Sequence, residues 1–260
     1  MTNWLQRDVP ALNRSIHRIG LAGSFGIDAK TYAAALEAGV NYVFWTPKMK
    51  RVTPALKAAL KRNRESVVLS TGPTFAFLGS TLRKSTEQIL RSLDIEYIDI
   101  LQQFWLGKTS AQTESTMDAL HALKSEGKVR HIGVSIHDRP RAGQLARDKV
   151  FDMLMVRYNA AHPGAEQDIF PHVNPMHTAV VAYTATRWRK LLKRPQGWEG
   201  RVPTASDCYR FCLSRSEVDI ALMGVANAAQ LHDNLQGLEA GPMGKEEMEW
   251  MRSFGQQVRG

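Results

Sequence analysis

The segment from Glu114 to Ser135 reads ESTMDALHALKSEGKVRHIGVS, and it contains the unit that decides the fold. Its first half has apolar residues at the spacing of an amphipathic helix, and Gly127 follows where such a helix would end. Its second half contains a short apolar run typical of a strand that is buried on both faces. We therefore expect a helix that is followed at once by a buried strand.

The same alternation extends outward from this segment in both directions. Strand-like apolar runs are predicted at Ile19–Ala22, Tyr42–Trp45, Ser66–Ser70, Ile98–Gln102, His131–Ser135, Met153–Val156, Ala179–Tyr183 and Ile220–Met223. Amphipathic helices are predicted at Ala29–Glu37, Pro54–Arg62, Ser80–Ser92, Glu114–Ser125, Arg139–Arg147, Ala205–Ser214 and Lys245–Val258. Strands that are separated by helices pair in parallel through right-handed crossovers, and eight of them favour a closed (β/α)8 TIM barrel. An open doubly wound sheet is the alternative.

The bulk composition fits one α/β domain over residues 1–260, in which residues 1–17 cap the lower end of the barrel. Hydrophobic residues make up 43% of the 260 residues, which is enough for a large buried core. No apolar run reaches the length of about 18 residues expected of a membrane span, and no signal peptide precedes Trp4. The expected location is therefore the cytoplasm, without a membrane partner.

The net charge of +9 favours anionic ligands, but its distribution does not favour nucleic acid. The basic residues are scattered, and neither an aromatic-interleaved basic stripe nor a zinc-finger spacing is present. Cys208 and Cys212 lie four residues apart in a predicted helix, where two buried small side chains are the simplest interpretation. We expect a small-molecule ligand and no metal, and the oligomeric state stays open.

Active sites of such barrels lie at the carboxyl ends of the strands, where this chain has an unusual set of residues. Three strands are followed by Phe44, Gly72 and Phe104, none of which can transfer a proton. Trp45 and Trp105 come directly after two of them and would add aromatic rings to the barrel mouth. Such a wall suits a flat or apolar ligand, or it fills the pocket. Lys48 in the next loop could neutralise an anionic ligand.

Several further segments carry a family likeness across the barrel. They are Glu37–Tyr42, Arg91–Leu101, Leu123–Ser135, Arg157–Asn159 and Met223–Leu235. In sequence, order and spacing these segments resemble the aldo/keto reductases. The resemblance implies a (β/α)8 barrel that binds a nicotinamide cofactor, usually NADPH, and reduces carbonyl compounds. Proton transfer in that family uses a Tyr that is assisted by Lys, Asp and His.

This chain departs from the family at each of those four positions. The family Asp falls on Phe44, the Lys on Gly72 and the His on Phe104, and no Tyr stands at residues 48–50. Ordinary carbonyl reduction is therefore not expected. The chain is expected to be an enzyme of the oxidoreductase superfamily with altered or cofactor-free chemistry, of isomerase or lyase type. The alternative is a non-catalytic pseudoenzyme that binds a nucleotide or metabolite.

The cofactor positions of the family are kept in part. The resemblance assigns cofactor contacts to Ser135, Tyr183, Gly224, Asn227 and Asn234, with Tyr183 stacking on the nicotinamide. The amide that contacts the carboxamide falls on Met155 and is lost. The glycines of residues 20–26 are spaced GxxGxxG and do not match a dinucleotide fingerprint. NADP(H) binding stays open, because a barrel-end turn and a helix cap also explain Gly224 and Asn234.

Other residues at the strand ends could supply the missing chemistry. His137 and His162 follow two strands and can titrate near neutral pH, so they are catalytic candidates. Arg157 is a third candidate, because a guanidinium at a strand end can bind a carboxylate or phosphate group, and an ion pair that faces a helix is the alternative. Tyr158 and Asn159 come directly after Arg157 and are predicted to line the pocket. For each histidine the simpler alternative is a loop side chain bonded to backbone.

Overall fold

The computed structural model describes residues 4–259, which begin with a short antiparallel hairpin. Its strands are β1 (Gln6–Val9) and β2 (Arg14–His17), joined by a single 3-10 turn. Val9, Leu12 and Ile16 are buried against residues from inside the barrel. The hairpin therefore closes the lower end of the barrel, where its apolar side chains are removed from water.

Eight parallel strands form the closed barrel that the alternation predicts. They are β3 (Ile19–Ala22), β4 (Tyr42–Phe44), β5 (Val68–Thr71), β6 (Ile98–Gln103), β7 (Val129–Ile136), β8 (Met153–Arg157), β9 (Ala179–Tyr183) and β10 (Ile220–Gly224). Each strand pairs with its neighbour in the chain, and β10 pairs with β3 to close the ring. The TIM barrel prediction is confirmed, and the doubly wound alternative is wrong.

Helices follow the strands around the outside of this ring. They are α1 (Ala29–Glu37), α2 (Thr53–Arg62), α3 (Gly79–Leu93), α4 (Glu114–Ser125), α5 (Arg139–Arg147), α6 (Ala165–Asp168), α7 (Ala205–Leu213), α8 (Ala228–Leu238) and α9 (Lys245–Arg259). None of the helices in residues 4–259 is long and apolar enough to cross a membrane. Within those residues no three His, Cys, Asp or Glu side chains come together as metal ligands.

Alternation along the strands divides the apolar residues into two cores. Side chains that point inward, such as Tyr42, Val68 and Ile100, pack with the hairpin inside the barrel. Their neighbours in sequence, such as Val43 and Leu69, point outward and pack under the helices. Cys208 and Cys212 belong to the outer core, where both thiols are buried and free. Two adjacent residues of a strand therefore face different surroundings.

Candidate active site

The carboxyl ends of the strands surround a cavity of about 560 Å³. Eight residues that the sequence singles out line it: Phe44, Phe104, Trp105, Ser135, His137, Tyr183, Gly224 and Asn234. Further lining residues include Phe25, Met155, Trp188, Tyr209 and Gln230. A cavity of this size, mostly apolar with a few polar groups, suits a small-molecule ligand.

One half of the cavity wall, formed by the ends of β4 and β6, is apolar. The rings of Phe44 and Phe104 meet edge to face, with their centroids 5.5 Å apart. Between these strands Gly72 is packed so tightly that an added Cβ would collide with the carbonyl oxygen of Gln102. Among residues 4–259, the lining that β4 and β6 contribute therefore has no proton-transfer side chain, and Gly72 beside it has no space for a side chain.

Tyr42 is the tyrosine of β4, but it does not restore a proton donor to this half. Its side chain lies inside the barrel, one layer below Phe44, and it is fully buried. Burial raises the pKa of its hydroxyl well above the usual range. Tyr42 does not line the cavity, so it has no contact with a ligand there.

The opposite half, formed by β7, β8 and β9, contains a hydrogen-bonded pair of protic side chains. Nε2 of His137 lies 2.8 Å from the Tyr183 hydroxyl, and the two rings meet edge to face. Trp105 covers the other side of His137, with ring centroids 5.5 Å apart. We call His137 and Tyr183 the protic pair.

The surroundings keep both members of the protic pair neutral near pH 7. Burial, helped by the charge of Arg157, lowers the pKa of His137. Burial raises the pKa of Tyr183 to about 12, although Arg157 acts in the opposite direction. The pair therefore holds an unprotonated imidazole and a protonated hydroxyl side by side, which is a base next to a hydrogen-bond donor.

The other two catalytic candidates lie at the end of β8, next to this pair. Arg157 pairs in register with Tyr183 and is half-buried. His162 is brought back to the strand end by a turn in which its Nδ1 lies 3.1 Å from Oδ1 of Asn159. Burial, with the charges of nearby arginines, lowers the pKa of His162 to about 4. Arg157 and His162 do not line the cavity itself.

Several residues predicted to line the pocket lie elsewhere, and strand alternation explains most of these corrections. Trp45 follows inward-facing Phe44 and therefore points into the outer core, where its indole N–H donates to Thr53. Tyr158 follows Arg157 in the same way and donates to Glu166. Asn159 holds the turn at His162 and donates to the carbonyl of Thr184.

Three more predicted site residues lie outside the cavity lining. Gly72 is buried against β6, and Lys48 is exposed in the loop after β4. Asn227 caps the N-terminus of α8 by accepting the N–H of Gln230 at 2.9 Å. Sequence reasoning offered a helix cap as the alternative for Asn234, but Asn234 lies within α8 and the cap is Asn227.

The adenosine and phosphate end of a dinucleotide fits the residues present around α8. Gly224 ends β10, and α8 begins shortly after it in the chain. Gln230 and Asn234 of α8 lie on the cavity wall. A helix N-terminus presents free N–H groups that suit phosphate. The Phe25 ring lies where a Cβ of residue 224 would be, and it is 48% exposed. Phe25 is therefore a side chain that a ligand could displace.

The nicotinamide end does not fit in the manner that the resemblance implies. Ser135 Oγ already accepts the backbone N–H of Trp105 at 2.8 Å, and Met155 offers a thioether where an amide is needed. The hydroxyl of Tyr183 is held by His137. We therefore derive no chemical step through a nicotinamide.

Phe25, Trp188 and Gln230 also lie on the cavity wall, although sequence reasoning assigned no role to any of them. Trp188 is 56% exposed and belongs to three consecutive residues with positive φ, residues 187–189. The signal that could have found it is a tryptophan between arginines directly after a barrel strand. Phe25 sits among glycines in the first loop, where a large exposed aromatic side chain has no role in the core.

The barrel and its cavity define an α/β-barrel protein with a small-molecule site at the carboxyl ends of its strands. The sequence pattern of the Aldo/keto reductase family matches residues 27–194. The chain belongs to this family, and it is an aldo/keto reductase-like protein of the oxidoreductase class.

Individual relatives agree with the family. L-galactose dehydrogenase of Arabidopsis thaliana is 22% identical over 251 residues, which cover 79% of this chain and 76% of that protein. Methylglyoxal reductase YeaE of Escherichia coli is 30% identical over 165 residues, which cover 60% of this chain and 57% of that protein. The holo form of the aldo-keto reductase AKR11C1 from Bacillus halodurans has the same fold, with a TM-score of 0.79, 20% identity and coverage of 98% and 99%.

Proposed function

We propose that this protein catalyses proton transfer on a small carbonyl compound with its protic pair, in place of the four catalytic residues of its family. The observation that carries the proposal is the 2.8 Å hydrogen bond between His137 and Tyr183 on the cavity wall. The opposite wall, with Phe44 and Phe104, offers no group that can exchange a proton. Related proteins named methylglyoxal reductase suggest a carbonyl compound as the ligand.

The proposed step needs no co-reactant. In the tautomer in which Nε2–H of neutral His137 donates to the Tyr183 hydroxyl, the free Nδ1 takes a proton from the carbon next to the carbonyl, so a C–H bond breaks and an N–H bond forms. The electron pair moves to the carbonyl oxygen, which accepts a hydrogen bond from the Tyr183 hydroxyl. Return of a proton to carbon regenerates the imidazole. Depending on which carbon receives it, the result is exchange or isomerisation.

The test is deuterium incorporation into methylglyoxal in D2O, followed by NMR and corrected for the rate without protein. The wild type is expected to accelerate exchange at the methyl carbon. His137→Ala is expected to lose at least about 100-fold in kcat/KM, the contribution typical of a general base. His121→Ala is the matched control, because His121 is exposed on α4 and does not line the cavity. Equal rates for the wild type and His137→Ala would refute the proposal.

Non-catalytic nucleotide binding is the second candidate, and it is favoured by Gly224 at the end of β10 together with Gln230 and Asn234 of α8, which line the cavity. Titration with NADPH and NADH, followed by cofactor fluorescence, tests it. Saturable binding together with no exchange on any carbonyl compound would replace the proton-transfer proposal with this one. No binding of either cofactor would remove NADP(H) as a ligand.

A further inference from the structure

The loop that follows β6 contains a tryptophan in a left-handed backbone conformation. Trp105 has a φ of 48°, a region that is sterically costly for a residue with a side chain. Such strain persists only where the surroundings hold it, and it collects at functional sites. The Trp105 side chain is 48% exposed and lies on the cavity wall. Packing in the core therefore does not account for this conformation.

Hydrogen bonds on both sides of the turn hold Trp105 in place. The N–H of Trp105 donates to Oγ of Ser135 at 2.8 Å, and the N–H of Leu106 donates to the Ser135 carbonyl at 2.8 Å. Further along the turn, the carbonyl of Trp105 accepts the N–H groups of Lys108 at 2.9 Å and Thr109 at 3.1 Å. Ser135 thus binds two consecutive residues of the turn from the neighbouring strand, and its hydroxyl binds the strained one.

The strand that contains Ser135 also leads to the proposed base. Ser135 lies in β7, two residues before His137. The turn brings the Trp105 ring against the imidazole, with ring centroids 5.5 Å apart and an angle of 57° between the planes. The Tyr183 ring also lies against the imidazole, at 5.7 Å and 75°. Two aromatic rings therefore limit the orientations of His137 while its Nε2 bonds the Tyr183 hydroxyl.

We propose that Ser135 and Trp105 are positioning residues for His137. The Ser135 hydroxyl holds the left-handed turn, and the turn holds the indole ring beside the imidazole. The ring keeps the imidazole in the orientation in which Nε2 bonds Tyr183, and it shields one side of the base from water. The catalytic meaning of this inference rests on the proposed function, but the contact between the two rings is measurable without turnover.

The titration of His137 shows whether the indole ring is in place. Burial lowers the pKa of His137, and the charge of Arg157 on β8 lowers it further. Tyr183 on β9 adds no charge near pH 7, because burial raises its pKa to about 12. Lys108, in the turn itself, is exposed to solvent. Removal of the ring exposes the imidazole to water, so the pKa of His137 should then rise toward the ordinary value of about 6.5.

Two variants separate the turn from the ring. Ser135→Ala removes the acceptor and keeps the ring, whereas Trp105→Gly removes the ring and introduces a residue that adopts positive φ without strain. Each is expected to move the His137 titration toward about 6.5 and to lower kcat/KM for deuterium exchange in methylglyoxal about tenfold. Ser135→Thr keeps a hydroxyl and is expected to stay within about threefold of the wild type.

Ser115→Ala is the matched control for the loss of a serine acceptor. Oγ of Ser115 also accepts a backbone N–H, from Gly79 at 3.1 Å, and Ser115 does not line the cavity. This variant is expected to leave both the His137 titration and the exchange rate unchanged. The titration is followed by NMR on the histidine Cε1–H resonances, and His137→Ala assigns the signal. A purely structural role of Ser135 would lower Tm without moving the His137 titration.

The outcomes separate this inference from the proposed function. An unchanged His137 titration in folded Ser135→Ala and Trp105→Gly would overturn the positioning role, and either variant decides the question if the other does not fold. A moved titration with unchanged exchange would overturn the role of the two residues in the reaction. A moved titration in a protein whose wild type exchanges no protons would refute the proposed function and leave the positioning of His137 standing.

Discussion

The two halves of the barrel mouth differ in what their strands present to the cavity. The half formed by β4 and β6 presents Phe44 and Phe104, while Gly72 at the end of β5 is packed against Gln102 outside the cavity lining. The half formed by β7, β8 and β9 presents His137 and Tyr183, with Arg157 beside them. One scaffold thus has an apolar wall opposite a protic wall. The family fold therefore fixes the place of a site, while the side chains at each strand end decide its chemistry.

Substitutions on the two walls are expected to differ most in their effect on kcat/KM. Tyr183→Phe removes a hydroxyl that bonds His137 and is expected to lower kcat/KM for exchange by about 100-fold. Phe104→Leu changes only the shape of the apolar wall and is expected to stay within about threefold. Steady-state exchange rates check both values. If Phe104→Leu were the more damaging change, the assignment of the walls would be reversed.

Substitution of Gly72 tests whether the end of β5 has space for a side chain, with the free energy of unfolding as the measure. Gly72→Ala places a methyl group against the carbonyl of Gln102 and is expected to cost about 2–3 kcal/mol of the free energy of unfolding. Gly244→Ala is the control, because a Cβ there meets nothing within 4 Å, and it is expected to stay within about 0.5 kcal/mol. Urea denaturation measures both. A neutral Gly72→Ala would mean that the wall could still accept a side chain.

The third effect tests the packing of the two phenylalanines on the apolar wall. Phe44→Ala removes a half-buried ring and its contact with Phe104, and it is expected to cost about 2 kcal/mol. Phe44→Leu keeps most of the volume and is expected to cost below about 1 kcal/mol. The same denaturation experiment checks both variants. Equal losses for Ala and Leu would argue against a packing role.

The smallest expected effect is a pH dependence of the stability that arises from His162 at the end of β8. An ordinary histidine takes up a proton near pH 6.5, whereas folded His162 resists until about pH 4. The unfolded chain therefore binds more protons in this window, so stability is present above pH 6.5 and is lost as the pH falls toward 4. His162→Gln is expected to flatten this loss of Tm. His121→Gln should follow the wild type, and a variant at His162 that also follows it would contradict the prediction.

The fold could be predicted almost completely from the sequence, because strand and helix periods differ and each buried strand forms a short apolar run. The bounds of β3, β9, α1, α4 and α5 agree with the prediction residue for residue. Local pattern and tertiary packing point to the same structure in these elements.

The site was less predictable, because a strand end must be assigned to an inner or an outer face. Trp45 and Tyr158 were expected at the mouth, but each follows an inward-facing residue and therefore points outward. Trp105 escapes this alternation because its positive φ of 48° turns the chain back over His137. The bond between His137 and Tyr183 joins residues 46 positions apart, which no local pattern indicates.

A double-mutant cycle on the protic pair, with kcat/KM for exchange as the readout, shows whether His137 and Tyr183 act together. His137→Ala, Tyr183→Phe and the double variant are compared with the wild type. If the two side chains work as a unit, the double variant loses little more than the worse single variant. Losses that multiply would show two independent groups, and losses in neither variant would show that the chemistry of this barrel lies elsewhere.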